Sequence, residues 1–363
     1  EAVTVTALGG KKQDRKVGYA TTTVKGDALA RTNTISPINA LQGKVAGLNV
    51  GVSGSSGLTS TPMVTLRGAK SLDKNNSPIY VIDGIVMENE YGTSATSNEG
   101  NMYGNQLKNL NSADFESVTV LKGAAATSLY GSRGANGAIV ITTKGGKARK
   151  GIGVEVNYTH EFNQLYAAPI ALQNLYGMGF AFNDYEGQIN PDLKSSASEY
   201  IGTSFGPRMD GQLMRQNYKL WQGREGYEYN PNEPLVAHKN NWKSFFQTGK
   251  QDNVSVALTG GSEKATYRLS YGYTSMKGAL PNNDFDSHSI NFRTNGKIND
   301  IFSVDFSMQY SNTQTLNATS INAFGSNILQ QVAGNLARNT DLKWFRDNYI
   351  DYSTWERMVP GDG

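Results

Sequence analysis

The stretch VSVALTGGSEKATYRLSYGY, Val254–Tyr273, decides the fold. Val254, Val256 and Leu258 fall on one face, and Ser255, Ala257 and Thr259 on the other. After GGSEK, a tight-turn signal, Tyr267, Leu269, Tyr271 and Tyr273 oppose Thr266, Arg268, Ser270 and Gly272. A period of two is the signature of a β-strand, so this is a hairpin with one apolar, aromatic face and one polar face.

Three further stretches repeat the pattern. In GVEVNYTHEF, Gly153–Phe162, Val154, Val156, Tyr158, His160 and Phe162 oppose Glu155, Asn157, Thr159 and Glu161. In SINFRTNGKI, Ser289–Ile298, Ile290, Phe292 and Ile298 oppose Asn291, Arg293, Asn295 and Lys297. In FSVDFSMQYS, Phe302–Ser311, every second residue from Phe302 to Tyr310 is apolar. Each strand is about as long as the ~9–11 residues that cross a bilayer. A soluble antiparallel sandwich alternates too. The connections argue against it: a long segment after the first strand, the tight GGSEK turn, a longer loop Thr274–Ser287, Asn299-Asp300 alone, then a long segment to Gly363. Short turns on one side and long loops on the other are the habit of outer-membrane barrels. Five strands cannot close a barrel, and an open edge in lipid leaves backbone groups unsatisfied. The expectation is therefore the N-terminal portion of a larger barrel, or one completed by a partner.

Bulk properties agree. Charged residues are 18 % of the 363 residues, below the ~25 % usual for soluble domains, and Gly is abundant at 40. The net charge of +3 is spread along the chain and does not ask for nucleic acid. With no Cys there is neither a disulfide framework nor a thiolate metal site. No apolar run approaches the ~18 residues of a transmembrane helix, which leaves a β-barrel open.

Residues before about Gly151 have a different composition, rich in Gly, Ala and Val, and join the strands through the basic linker KGGKARKGIG, Lys144–Gly153. They predict a small α/β domain. Ser36-Pro37 opens an expected helix in which Ile38, Leu41 and Val45 recur at helical spacing. Met63–Gly68, Pro78–Met87 with Asp83-Gly84 as a tight turn, Glu116–Gly123 and Ala138–Gly145 predict strands, and Ala124–Gly131 a short helix with a glycine cap. Ahead of this domain, EAVTVTA, Glu1–Ala7, alternates like a strand, but the polar KKQDRK run isolates it from any sheet of its own.

These residues carry a family resemblance. An isolated N-terminal strand, a linker, an α/β domain and barrel strands, in that order, resemble the TonB-dependent outer-membrane transporters. NALQGKVAGLNV, VTLRG, PIYVIDG, ESVTVLKGAAATSLYGSRGANGAIVITTKGG and NVSVALTGGSEKATYRLSYGY look like the SusC/RagA branch of Bacteroidota. The segment Ser112–Gly146 is the most specific, whereas residues 163–250 and 313–363 match poorly. The resemblance implies a membrane β-barrel of about 22 antiparallel strands, about five of them here, with an N-terminal α/β plug domain. It implies residues 1–22 as TonB box and linker, 23–149 as plug, and 150–363 as the first part of the barrel with long extracellular loops. It further implies the outer membrane of a Gram-negative bacterium and import of a glycan or oligopeptide. The implied partners are TonB, outer-membrane lipid and a SusD-like surface lipoprotein. A structural subunit reusing the fold, and a siderophore or vitamin receptor without a lid, are the alternatives.

Candidate site residues follow from the same frame. Glu1, Ala2, Val3, Thr4, Val5, Thr6 and Ala7 are the candidate TonB-binding strand. Arg67, Lys122 and Arg133 in plug motifs are expected to pair with polar lumen residues such as Glu155 and Glu161. Tyr91, Asn101 and Tyr103, in the polar loop Met87–Gly104, are candidate substrate contacts. GSRGANG, Gly131–Gly137, precedes a strand rather than a helix and is a turn, not a phosphate cradle. Asp83, Asp114 and Glu116 do not form a readable acid–base pair, and His160, His238 and His288 lack ligand spacing. No catalytic constellation, metal site or cofactor is expected, so the chain is not expected to be an enzyme.

Overall fold

The computed structural model describes residues 3–5, 11–13, 21–30, 38–51, 63–68, 76–87, 110–164, 172–177, 206–214, 233–317 and 337–347. They fall into two compact units. One lies within Glu1–Phe162, Gly249–Gly278 and Asn282–Ile321, the other within Asn163–Thr248, Ala279–Pro281 and Asn322–Gly363.

In chain order the first unit begins with β1 (Val3–Val5) and β2 (Lys11–Gln13), which pair antiparallel with Val3 opposite Gln13. The expectation of a strand without a partner in its own chain is corrected here. Three residues of the polar run supply that partner, because a two-stranded ladder needs only backbone groups and a turn. Next come β3 (Thr21–Lys25), α1 (Gly26–Ala30), β4 (Leu48–Gly51), β5 (Met63–Leu66), β6 (Ile79–Ile82) and β7 (Ile85–Met87). They are followed by β8 (Phe115–Leu121), α2 (Ala124–Tyr130) and β9 (Ala138–Thr143). The plug sheet has the order β3-β8-β9-β6-β7, with β6 and β9 parallel and the other pairs antiparallel. Leu29, Leu41, Val64, Tyr80, Val118 and Ile139 pack on one face of it, and Val81, Leu121, Ala126 and Val140 on the other. Burial on both faces explains why AIVI reads as an unbroken apolar run.

The strands, the short helix and the Asp83-Gly84 turn of the plug stand where the sequence places them, with Asp83 at φ 46° and Gly84 at φ 89°. The helix expected after Ser36-Pro37 does not form. A 3-10 turn, Asn39–Leu41, takes its place, although Ile38, Leu41 and Val45 are buried as their spacing implies. Gly43 and Gly47, at φ 75° and 77°, break the helical path on either side of Val45.

The wall follows: β10 (Arg149–Asn163), then β13 (Gly249–Gly261), β14 (Ala265–Lys277), β15 (Asp284–Lys297) and β16 (Ser303–Leu316), hydrogen-bonded in that order. All five expected strands form, and all are longer than expected. The loop expected over Thr274–Ser287 is mostly strand, with Lys277 opposite Asp284, so only Gly278–Asn283 turns; the last connection spans Ile298–Phe302 rather than Asn299-Asp300 alone. Polar residues such as Ser275 and Asp286 stay in the ladder because pairing is a backbone property, and alternation of apolar side chains marks only the lipid-facing part of a strand.

The amphipathy of this wall is the inverse of a soluble sheet. Val154 and Val156 are each 64 % exposed and Tyr158 63 %, while Arg268 is 5 % and Ser270 2 % exposed. An apolar outer face over a buried polar inner face suits lipid outside and a packed, polar lumen inside. The outer band ends in polar rings: Tyr158 Oη donates to Asp252 at 2.8 Å, and Tyr271 Oη meets His288 Nδ1 at 2.9 Å. Amphipathic rings of this kind mark membrane interfaces.

The second unit holds β11 (Leu213–Met214) paired with β12 (Glu233–Pro234), α3 (Asn241–Phe245) and α4 (Leu342–Asp347). Phe245, Phe246, Leu280 and Leu342 form its core.

Gly26, where β3 turns into α1, lies so close to β8 that a Cβ there would sit 1.7 Å from the Phe115 carbonyl oxygen. Gly26→Ala should therefore destabilise the β3–α1 corner by about 3 kcal/mol, the upper end for overpacking. Hydrogen exchange of the β3 and β8 amides in the full protein should quicken; unchanged exchange would refute the contact.

Candidate functional site, the plug–wall contact

Three plug segments deliver charge to the wall. The first is the 3-10 turn Ser112–Asp114, held by the Asn111 side chain, which accepts the Ala113 N–H at 2.9 Å. The turn aims Asp114 at the wall. Arg268 Nη2 donates to its Oδ1 at 2.8 Å, and Asn291 Nδ2 donates to its Oδ2 at 2.5 Å. Both side chains of the Asp114–Arg268 pair are only 6 % exposed. Close approach is possible because β14 carries Gly272: a Cβ there would lie 2.2 Å from Asn111 Nδ2.

The second segment is Lys144, just past β9, whose N–H donates to the Asp114 carbonyl at 2.7 Å. Its ammonium group meets Glu155 of β10 at 3.3 Å and Asp27 of α1 at 3.4 Å. Glu155 also reaches Arg268 at 3.6 Å. One chain of alternating charge thus runs Asp27, Lys144, Glu155, Arg268, Asp114.

The third is the β6–β7 turn. Asp83 accepts the Thr143 N–H at 3.0 Å and the Thr143 hydroxyl at 2.6 Å, which fixes the turn to the end of β9. Arg293 of β15 donates from Nη1 to Asp83 at 3.1 Å and to the Thr143 carbonyl at 2.9 Å. Its Nε and Nη2 grip Asp305 of β16 at 3.3 and 3.0 Å. Arg268 and Arg293 stand directly opposite each other in the β14–β15 ladder. Like charges in that position repel. Each is held instead by a different carboxylate from the plug, and such hydrogen-bonded pairs are the strong kind.

Among the expected plug–wall residues, Glu155 does face a plug cation, but that cation is Lys144. Arg67, Lys122 and Arg133 make no ion pair among the described residues, and Arg67 and Arg133 lie exposed. Glu161 is likewise without an ion pair among them. The dominant polarity is the reverse of that expected: plug aspartates meet wall arginines. Asp83 and Asp114, set aside in the sequence as a turn residue and an unpaired acid, are the residues that matter. The signal was present, since Arg268 and Arg293 both fall on the polar face of their strands and a buried guanidinium demands a carboxylate. Val3, Thr4 and Val5 lie in β1, whereas Glu1, Ala2, Thr6 and Ala7 lie outside the described residues. Tyr91, Asn101 and Tyr103 also lie outside them. Among the described residues no group of three or more His, Cys, Asp or Glu could hold a metal ion.

An α/β plug seated by ion pairs against a wall that is apolar outside and polar inside defines the class: a plugged outer-membrane β-barrel. Residues 13–138 match the TonB-dependent Receptor Plug Domain family. The TonB-dependent receptor SusC of Bacteroides thetaiotaomicron is 28 % identical over 285 residues, covering 78 % of this chain and 23 % of that protein. A TonB-dependent receptor of Formosa agariphila is 26 % identical, covering 99 % of this chain and 34 % of that protein. The RagAB peptide importer in its open-open state superposes with a TM-score of 0.68 at 22 % identity, over 99 % of this chain and 38 % of that one. Residues 13–138 thus carry the plug domain of the TonB-dependent receptors, and the chain as a whole is similar to receptors of the SusC/RagA type. It spans about a quarter to a third of the length of these curated relatives.

Asp114→Ala leaves Arg268 buried without its main partner, which should cost about 3–5 kcal/mol. Asp114→Leu with Arg268→Met should cost less than either single change, because no charge is then stranded. A double-mutant cycle on urea unfolding of the plug, followed by hydrogen exchange, measures the difference. Additive effects would show that the pair is not coupled.

Proposed function

We propose that this chain is the N-terminal part of an importer that draws a large nutrient, a glycan or an oligopeptide, across the outer membrane by TonB-dependent active transport. The observation that carries this is a plug fastened to the polar inner face of the wall by hydrogen-bonded ion pairs, which spontaneous diffusion does not undo. In this reading residues 1–22 are the TonB box and linker, residues 23–149 the plug, and residues 150–363 the first part of the barrel. A SusD-like surface lipoprotein covers the outer mouth, as the match to SusC suggests.

TonB docks on β1 by strand addition, in which main-chain hydrogen bonds supply affinity. At ~0.5–1.5 kcal/mol net per bond, half a dozen bonds give a transient contact. The pull then reaches β3 first. β3 is the edge strand of the plug sheet, held by one neighbour, and α1 follows it directly. A plug of this length should be stable by about 6–19 kcal/mol, whereas one charge crossing 100 mV yields only ~2.3 kcal/mol. Global unfolding would need several charges per event, so withdrawal of β3 and α1 alone is favoured. A cavity of about 480 Å³ already separates plug and wall beside α1, lined by Asp27, Asn111, Lys144, Glu155, Ser255 and Ser289 among others. Removing Asp27 with α1 would open it on one side.

Two experiments test this. Deleting Glu1–Ala7 should abolish energised uptake while surface binding of substrate persists; undiminished uptake would overturn the TonB-driven step, whereas an assembly role that survives the deletion in a protein without uptake would favour a structural subunit. Thr23 and Thr119 face each other in the β3–β8 ladder with hydroxyls 3.0 Å apart. In a chain without other cysteines, Thr23→Cys with Thr119→Cys should block uptake when oxidised and restore it on reduction. Uptake by the oxidised protein would show that β3 stays in place.

A further inference from the structure

Arg338, in the second unit, is a buried cation with no carboxylate partner among the described residues. The residue is 7 % exposed. Its Nε and Nη2 both donate to one neutral acceptor, Asn174 Oδ1, at 3.1 and 2.8 Å. A guanidinium has five N–H groups in a planar fork. The edge formed by Nε and Nη2 is spent on Asn174; the edge formed by Nη1 and the second Nη2 hydrogen has no acceptor among the described residues. Two residues on, Thr340 is fully buried and its hydroxyl oxygen has no hydrogen-bond partner among the described residues.

The backbone around Arg338 is built to hold it there. The His238 N–H donates to the Arg338 carbonyl at 2.9 Å. Asn241 Nδ2 donates to the Thr340 carbonyl at 2.5 Å, and Asn241 Oδ1 accepts the Leu342 N–H at 3.1 Å. The turn 337–340 is thus clasped by residues 238–241, which fixes the backbone from which the fork projects, while the fork itself is held by Asn174. Burial also draws the Arg338 pKa below the ordinary arginine value. A desolvated charge with only an amide for company is costly, and the ligand that best offsets the cost is an anion with two coplanar oxygens.

We propose that Arg338, positioned by Asn174, is the anchor of a carboxylate-binding site that takes the carboxylate of a diffusible ligand on its free edge. The site stands independently of the transport reading. It also differs from the ion pairs of the plug, where each arginine meets an aspartate of the chain itself.

The test is hydrogen exchange of the full receptor in detergent, read on peptides covering residues 172–177 and 337–347, with sodium acetate exchanged for sodium chloride at constant ionic strength. Wild type should show saturable slowing in acetate, about tenfold at ten times the Kd. Arg338→Gln should lose that dependence. Asn174→Asp, nearly isosteric, supplies an internal carboxylate; these peptides should then be protected without acetate and respond little to it. Identical exchange of wild type in acetate and chloride, or an acetate response that persists in Arg338→Gln, would overturn the proposal.

Discussion

Two arginines that should repel set the terms for this structure. Arg268 and Arg293 face each other across adjacent strands on the inner side of the wall. Neither can turn outward, because a one-residue shift of register would put Tyr267, Leu269, Tyr271 and Ile290 into the lumen. The charges must be met from inside. The capped turn at Ser112–Asp114 and the Asp83-Gly84 turn are how the plug meets them, and the plug sheet orders both turns through β8 and β9. Plug and wall are therefore one electrostatic object, although their cores are separate.

The wall was legible in the sequence because lipid imposes a strict alternation on strand residues, and alternation survives without any knowledge of partners. The plug strands and the Asp-Gly turn were legible for local reasons of the same kind. The ends of the strands were not, because Thr274–Lys277 and Asp284–Ser287 extend past the apolar band, where backbone pairing goes on without a side-chain pattern. The segment after Ser36-Pro37 has the apolar spacing of a helix, but Gly43 and Gly47 reverse the backbone and leave only a 3-10 turn. The direction of the plug–wall ion pairs was lost for a further reason. The cations of the plug motifs are conspicuous in the sequence, but which side chains reach the wall depends on tertiary placement. Asp114 separates from Arg268 by 154 positions, and nothing local links them.

The second unit obeys different physics. Its core is a few aromatic and leucine side chains, and its order rests on side-chain amides that tie turns together. Asn241 bridges two carbonyl and amide groups a hundred residues away, as a backbone strand would do in a sheet. Segments built this way can change length and sequence while their anchors stay fixed, which accounts for the weak family resemblance of residues 163–250 beside the specific match of the plug.

The chain Asp27, Lys144, Glu155, Arg268, Asp114 has a consequence for selectivity. With three acids and two bases it carries one net negative charge at neutral pH. Asp27 is the member that belongs to α1, the element next to the edge strand. Were that element withdrawn as proposed, the remaining four groups would balance, and the passage beside Asn157, Ser255 and Ser289 would be lined by neutral amides, hydroxyls and matched charges. Such a lining neither attracts nor rejects a solute for its sign. Discrimination by charge would then belong to the outer parts of the receptor, and the passage itself would sort by size and by hydrogen bonding.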